Sequence, residues 1–308
     1  MKNKIDYEKI PEFLPNNQEA IRNYLWQIRG TLNASPKDGN HILEKIADFQ
    51  RAELETLCDK FGYNLKGFEF RFFNDLGEIE GIKQPQIDLS GEKYLQERRI
   101  ERGIVKSSES QENKEKFFGN LLVLYTALKN ENPDKVIGIL RGGAGYASLA
   151  KLFGYDVDYI EAHDSESPRY KGDNFQKSTI KDLESKSKVL LIEDSISQEK
   201  RKRTYELVKE ELIRKFNVEK DNFSLFISGM PDVSSNNLEN HNQVLSAQNT
   251  YTNPFWFNQN YFSKYDEQKL ELKKLMNTAE IPLPIIYNEK EVYAMRQEMI
   301  DKLKEKLK

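Results

Sequence analysis

Two clusters of residues in this chain carry chemistry that a plain scaffold does not need. The first is Glu193-Asp194, a pair of carboxylates closing the apolar run Val189-Leu190-Leu191-Ile192. Such a run reads as a parallel strand buried on both faces, and open α/β sheets place ligands at the carboxyl ends of such strands. Two carboxylates there can accept hydrogen bonds from ribose hydroxyls. Beyond them come Ser195, Ser197, Lys200, Arg201, Lys202, Arg203 and Thr204, then a helical pattern with Tyr205, Val208, Leu212 and Phe216 on one face. Hydroxyls, cations and the free N–H groups of a helix start all suit a phosphate. The second cluster is Arg141-Gly142-Gly143, directly after the apolar strand Val136 to Leu140. Arginine supplies a planar cationic fork, and the glycines let backbone donors approach a diphosphate with no Cβ in the way.

The surrounding pattern alternates helix and strand. Phe117, Phe118, Leu121, Leu122, Tyr125 and Leu128 form an apolar helical face, broken at Asn132-Pro133-Asp134 before the first strand. Ala144 to Phe153 reads as a helix stopped by Gly154, and Val157 to Ala162 as a second strand. His163 to Lys181 is polar, contains Pro168 and Gly172, and has the length of an active-site loop; its Arg169, Lys171 and Lys177 are candidates to close over a diphosphate. Phe223 to Ile227 is a further buried strand, ending at Ser228-Gly229-Met230-Pro231. Strands separated by helices predict a parallel sheet with right-handed crossovers.

These pieces, in this order from about Glu115 to Pro231, resemble the type I phosphoribosyltransferases. That family has a strand ending in a glycine-containing pyrophosphate loop, then a mobile loop, then a hydrophobic strand closing in two acids and a phosphate loop that starts a helix. Val136-Ile-Gly-Ile-Leu-Arg141-Gly142-Gly143 is similar to the first element, 164–181 to the mobile loop, and Val189-Leu-Leu-Ile-Glu193-Asp194 to the acidic one. The resemblance implies a central parallel sheet of phosphoribosyltransferase type with flanking helices. It implies a nucleotide or phosphosugar ligand, magnesium as an accompanying ion, and phosphoribosyl transfer with Glu193 and Asp194 at the reacting sugar. Arg141, Gly142, Gly143, Ser195, Ser197, Lys200, Arg201, Thr204, Arg169 and Lys171 would then bind the ligand. One departure stands out. The family's phosphate loop is rich in Thr and Gly, whereas Ser197-Gln-Glu-Lys-Arg201 has no glycine and carries Glu199. Non-glycine residues do not readily adopt the positive φ of a phosphate nest, so either Lys200 to Arg203 take over or the pocket serves something else.

Outside that region the signals are more general. A 308-residue chain can bury a large core, and a net charge of −3 creates no global pull onto nucleic acid or an anionic membrane. The single cysteine, Cys58, excludes an internal disulfide, and the three histidines show no metal-ligand spacing. The start has no signal-peptide core, and no stretch approaches the roughly 20 apolar residues of a membrane span, which predicts a cytoplasmic protein. Residues 1–110 read as a mainly helical α+β module: a helix closed by Gly30, a second from about His41 to Phe61 stopped by Gly62, and a hairpin from Phe68 to Ile82. A basic stretch follows at 96–106, then a polar linker at 107–114. From 115 to 308 we place the phosphoribosyltransferase-like domain. Its irregular extension contains the aromatic cluster of 253–262, and it ends in an amphipathic helix that packs or dimerises.

Three functions compete on these residues. One is a divergent transferase binding a phosphoribosyl ligand. Another is a catalytically silent regulator or effector of a bacterial conflict system, such as antiviral defence, contacting nucleic acid or a protein. The third is a different doubly wound fold in which Glu193-Asp194 merely complements a helix dipole.

Overall fold

A computed structural model describes residues 36–63, 107–140, 142–162, 175–195, 204–229, 250–252 and 289–308. The expected first helix, the hairpin, the basic stretch and the aromatic cluster lie outside these residues. Helix α1, Pro36–Phe61, buries Ile42, Leu43, Ile46, Leu54, Leu57 and Phe61 along one stripe. It ends at Gly62, whose φ of +69° favours glycine, with the N–H groups of Gly62 and Tyr63 both donating to the Cys58 carbonyl. Helix α2, Ser107–Glu131, includes the residues expected to form a linker. The glutamates, glutamine and lysine of 107–114 are good helix formers, so polarity alone did not mark a break. From Phe117 to Leu128 α2 is buried on every side, and Thr126 is satisfied within the helix by donating to the Leu122 carbonyl at 2.8 Å. Asn132, at φ +42°, and Pro133 end it.

A six-stranded mixed sheet follows: β1 Lys135–Leu140, β2 Val157–Ala162, β3 Phe175–Ser178, β4 Val189–Ser195, β5 Phe223–Gly229 and β6 Thr250–Thr252. Their order is β3-β2-β1-β4-β5-β6, and every neighbouring pair is parallel except β2 with β3. The expected all-parallel sheet is thus corrected at one edge, within a general α/β class. Edge strands β3 and β6 arise inside stretches whose composition predicts loop, because an edge strand needs no apolar run on both faces.

Helix α3, Ala144–Leu152, links β1 to β2, and α4, Thr204–Phe216, lies between β4 and β5 in the chain. Side-chain alternation divides the sheet between two cores. Val136, Leu140, Leu190, Ile192 and Phe226 face α1, α2 and α3, while Ile137, Ile139, Leu191 and Ile227 face α4. Each fully buried side chain among them contributes about 1.5–3 kcal/mol. Gly138 lets α3 sit close, since a methyl there would lie 2.6 Å from the Ala147 Cβ.

The C-terminal helix α5, Glu289–Lys306, joins the first core through Met299 and Leu303. The Tyr125 hydroxyl donates to Glu298 at 2.7 Å, and Lys129 and Lys302 sit beside that carboxylate. Of the two expectations for this helix, packing is the one observed. Lys177 of β3 donates to the carbonyl of Phe61, the last residue of α1.

Candidate functional site

The sheet order reverses direction between β1 and β4. From β1 the chain moves through α3 to β2 on one side; from β4 it moves to β5 on the other, with α4 on the opposite face. The two strand ends therefore part from a common point and leave a crevice at their carboxyl ends. Gly142 and Gly143 follow β1 there, and Glu193, Asp194 and Ser195 end β4 there. Gly138 pairs with Ile192, and Ser195 with Gly229 of β5. Gly142-Gly143 and Glu193-Asp194-Ser195 thus converge on one edge of the sheet.

Gly143 explains how closely they converge. A methyl on its Cα would collide with the Ile192 carbonyl oxygen and lie 2.9 Å from that of Ile139. The turn after β1 rests directly on the end of β4. Gly143 has φ −69° and ψ −11°, so glycine is needed here for space and not for dihedral freedom. Its N–H donates to the Ile139 carbonyl at 2.9 Å, and its own carbonyl accepts from the Ala147 N–H at 3.0 Å. The close backbone approach that the glycines permit is, at Gly143, an approach to the protein itself.

Glu193 is half-buried, pairs with Ile227 and follows the alternation of Leu191, which places it on the face of α4. Asp194 and Ser195 are located by their backbone in β4. Thr204 is the first residue of α4 and half-buried. Arg141, Arg169, Lys171, Ser197, Lys200 and Arg201 lie outside the described residues. Two polar residues that the sequence did not single out belong to the same edge. Glu161, near the end of β2, is 5% exposed and paired with Leu140; Ser228, near the end of β5, is also buried. The sequence places Glu161 within the second strand, but no local signal marks its burial there.

A cavity of about 1270 Å³ opens at the opposite edge, near the amino ends of β1 and β2. Size alone would make it the first choice for a site, but its chemistry argues otherwise. Lys135 bridges Asp156 at 2.5 Å and Asp158 at 3.0 Å, and Asp158 also accepts from Thr179 at 2.6 Å. Burial would lower the Lys135 pKa, but hydrogen bonds to the two aspartates outweigh it and hold the ammonium above its ordinary value. These groups satisfy one another, as in a structural polar seam. Among the described residues no group of three or more His, Cys, Asp or Glu is placed to hold a metal, and no helix is long and apolar enough to cross a membrane. The chain matches no family model, no curated protein and no solved structure.

Proposed function

We propose that the crevice between β1 and β4 binds a nucleotide or phosphoribosyl ligand, with glycosyl transfer as the reaction it would serve. The observation that carries this reading is the seating of the β1 turn on the end of β4, which brings Gly143 beside the strand end that carries Glu193-Asp194. The acids would hold ribose hydroxyls, and Arg141 with the cations of 200–203 would neutralise phosphates. The donor chemistry also suits magnesium, which takes one or two carboxylates and completes its shell with ligand oxygens and water. Bound there, it would offset diphosphate charge. Transfer through an oxocarbenium-like state asks the protein mainly to position the sugar, stabilise the departing diphosphate and exclude water.

The Gly143 N–H favours a second reading, a catalytically silent binder or effector, because that donor is already committed to Ile139. Together with the glycine-free stretch 197–201, it reduces the backbone donors available to a leaving diphosphate.

A thermal-shift panel of phosphoribosyl diphosphate, nucleotides and nucleobases, with and without magnesium, tests the site. A ligand that binds the native state raises the melting temperature by mass action. Arg141→Ala and Asp194→Asn should abolish the shift while leaving the unliganded melting temperature near wild type. Shifts that survive in both variants would place the ligand elsewhere. Binding followed by release of diphosphate when a base is added separates transferase from silent binder.

A further inference from the structure

Helix α1 buries one amide in an otherwise apolar stripe. Gln50 is 2% exposed, and Ile46 and Ala47 before it and Leu54 and Leu57 after it all lie in the core. Its Nε2 donates to the Gly145 carbonyl, in the first turn of α3, at 2.9 Å. Its Oε1 has no hydrogen-bond partner among the described residues. A half-satisfied buried amide costs more than an apolar side chain of similar size, because its unpaired acceptor has left water without a replacement. Stability therefore does not account for a glutamine at this position.

The same turn receives a second amide. Asn120 of α2, fully buried, donates to the Tyr146 hydroxyl at 2.8 Å. Gly145 and Tyr146 are adjacent, so two neighbouring helices grip consecutive residues at the start of α3. That start follows Gly143, which rests on the end of β4. First-turn N–H groups have no partner within a helix, and Gly143 at the N-cap brings no side chain to cap them. This is the part of α3 that borders the crevice.

We infer that Gln50 is a positioning residue: it holds the first turn of α3 against the end of β4 and so fixes the backbone donors on that side of the crevice for a diphosphate-bearing ligand. Apolar packing tolerates sliding of one helix along another, whereas a carbonyl accepts only a donor placed within hydrogen-bond reach. Glu53, further along α1, meets Lys151 at 2.7 Å at the far end of α3, away from the crevice, and supplies a control. The ligand half of the inference rests on the diphosphate reading above; the hold on α3 does not.

The two halves are tested separately. For the ligand, magnesium diphosphate is titrated calorimetrically into wild type, Gln50→Leu and Glu53→Gln, and urea unfolding is measured on the same proteins. Gln50→Leu replaces one neutral side chain by another, so the charge around the crevice is unchanged. It should bind diphosphate about fivefold or more weakly, with a urea midpoint at or above that of wild type, while Glu53→Gln binds as wild type does. Unchanged affinity in Gln50→Leu overturns the inference. So does a loss of affinity accompanied by a lower midpoint, or matched in Glu53→Gln, because either marks general loosening. If Gln50→Leu does not fold, Gln50→Met, unbranched like glutamine, takes its place. For the hold, hydrogen exchange should be about fivefold faster at the Gly143 and Ala147 amides of the variant and unchanged in β1 and β4; equal rates at Gly143 and Ala147 overturn it. Wild-type protein that binds no diphosphate refutes the ligand reading, and exchange then decides the hold alone.

Discussion

The Cα of Gly143 lies so close to the carbonyl oxygen of Ile192 that the turn after β1 and the end of β4 share one surface with no room for a methyl group. Gly143→Ala must push the two apart, and both groups it meets are backbone. The expected loss is about 1–3 kcal/mol, typical of overpacking, read from the urea midpoint at unchanged slope. Gly154 is the control. It has φ +95° with open space around it, so Gly154→Ala is strained only in its dihedral, at about 1–2 kcal/mol, and should leave crevice binding intact. Equal effects of the two variants on ligand binding would disprove the contact's importance to the site.

Lys135 predicts an asymmetry between two aspartates that look equivalent in sequence. Its side chain is 14% exposed, that of Asp158 is 16% exposed, and that of Asp156 is 68% exposed. Asp156→Asn should change stability by less than about 1 kcal/mol, as for exposed ion pairs. Asp158→Asn should cost about 1–3 kcal/mol, because it also disturbs a hydrogen bond from Thr179 in a partly buried place. Thermal melts of the two variants side by side check the ranking.

Glu298 should govern part of the acid limb of the stability curve. The Tyr125 hydroxyl first, and Lys129 next, stabilise its ionised form and hold its pKa below the ordinary glutamate value. The folded pKa is thus below the unfolded one. The contribution is present above about pH 4.3 and is lost as pH falls through the lower folded value. Glu298→Gln should flatten that limb, and identical acid-unfolding profiles for the two proteins would count against the assignment.

Four tyrosines act at the other end of the scale. Burial is the first cause that raises the pKa of Tyr125, Tyr155, Tyr159 and Tyr251, with Glu298 and Glu131 adding to it at Tyr125 and Tyr251. A raised folded pKa means stability fully present below about pH 10 and lost as pH rises above it through the folded values. Ultraviolet titration should show these phenols ionising together with unfolding. Smooth ionisation near pH 10 in a protein whose circular dichroism stays native would contradict their burial.

Much of this arrangement is legible in the residues, and the parts that are not share a cause. Val136 to Leu140, Val189 to Ile192 and Phe223 to Ile227 announce themselves because a central strand must be apolar on both faces. Gly62 and Gly154 mark helix ends because both adopt positive φ. By contrast β3 and β6 are edge strands of ordinary polarity, and 107–114 is polar yet helical. The role of Gly143 depends on which distant carbonyl it meets, a tertiary fact with no local signature. Glu161 became noticeable only once its burial and register were known.

The docking of α5 has a consequence for synthesis on the ribosome. Met299 and Leu303 of α5 share a core with Leu43 and Ile46 of α1, far earlier in the sequence, and Lys45 donates to the carbonyl of Leu307. That core cannot close until α5 has left the exit tunnel. Until then α1 and α2 wait with apolar faces uncovered, so the nascent chain is a natural client for chaperones, and premature stop codons before α5 should yield aggregation rather than a folded protein.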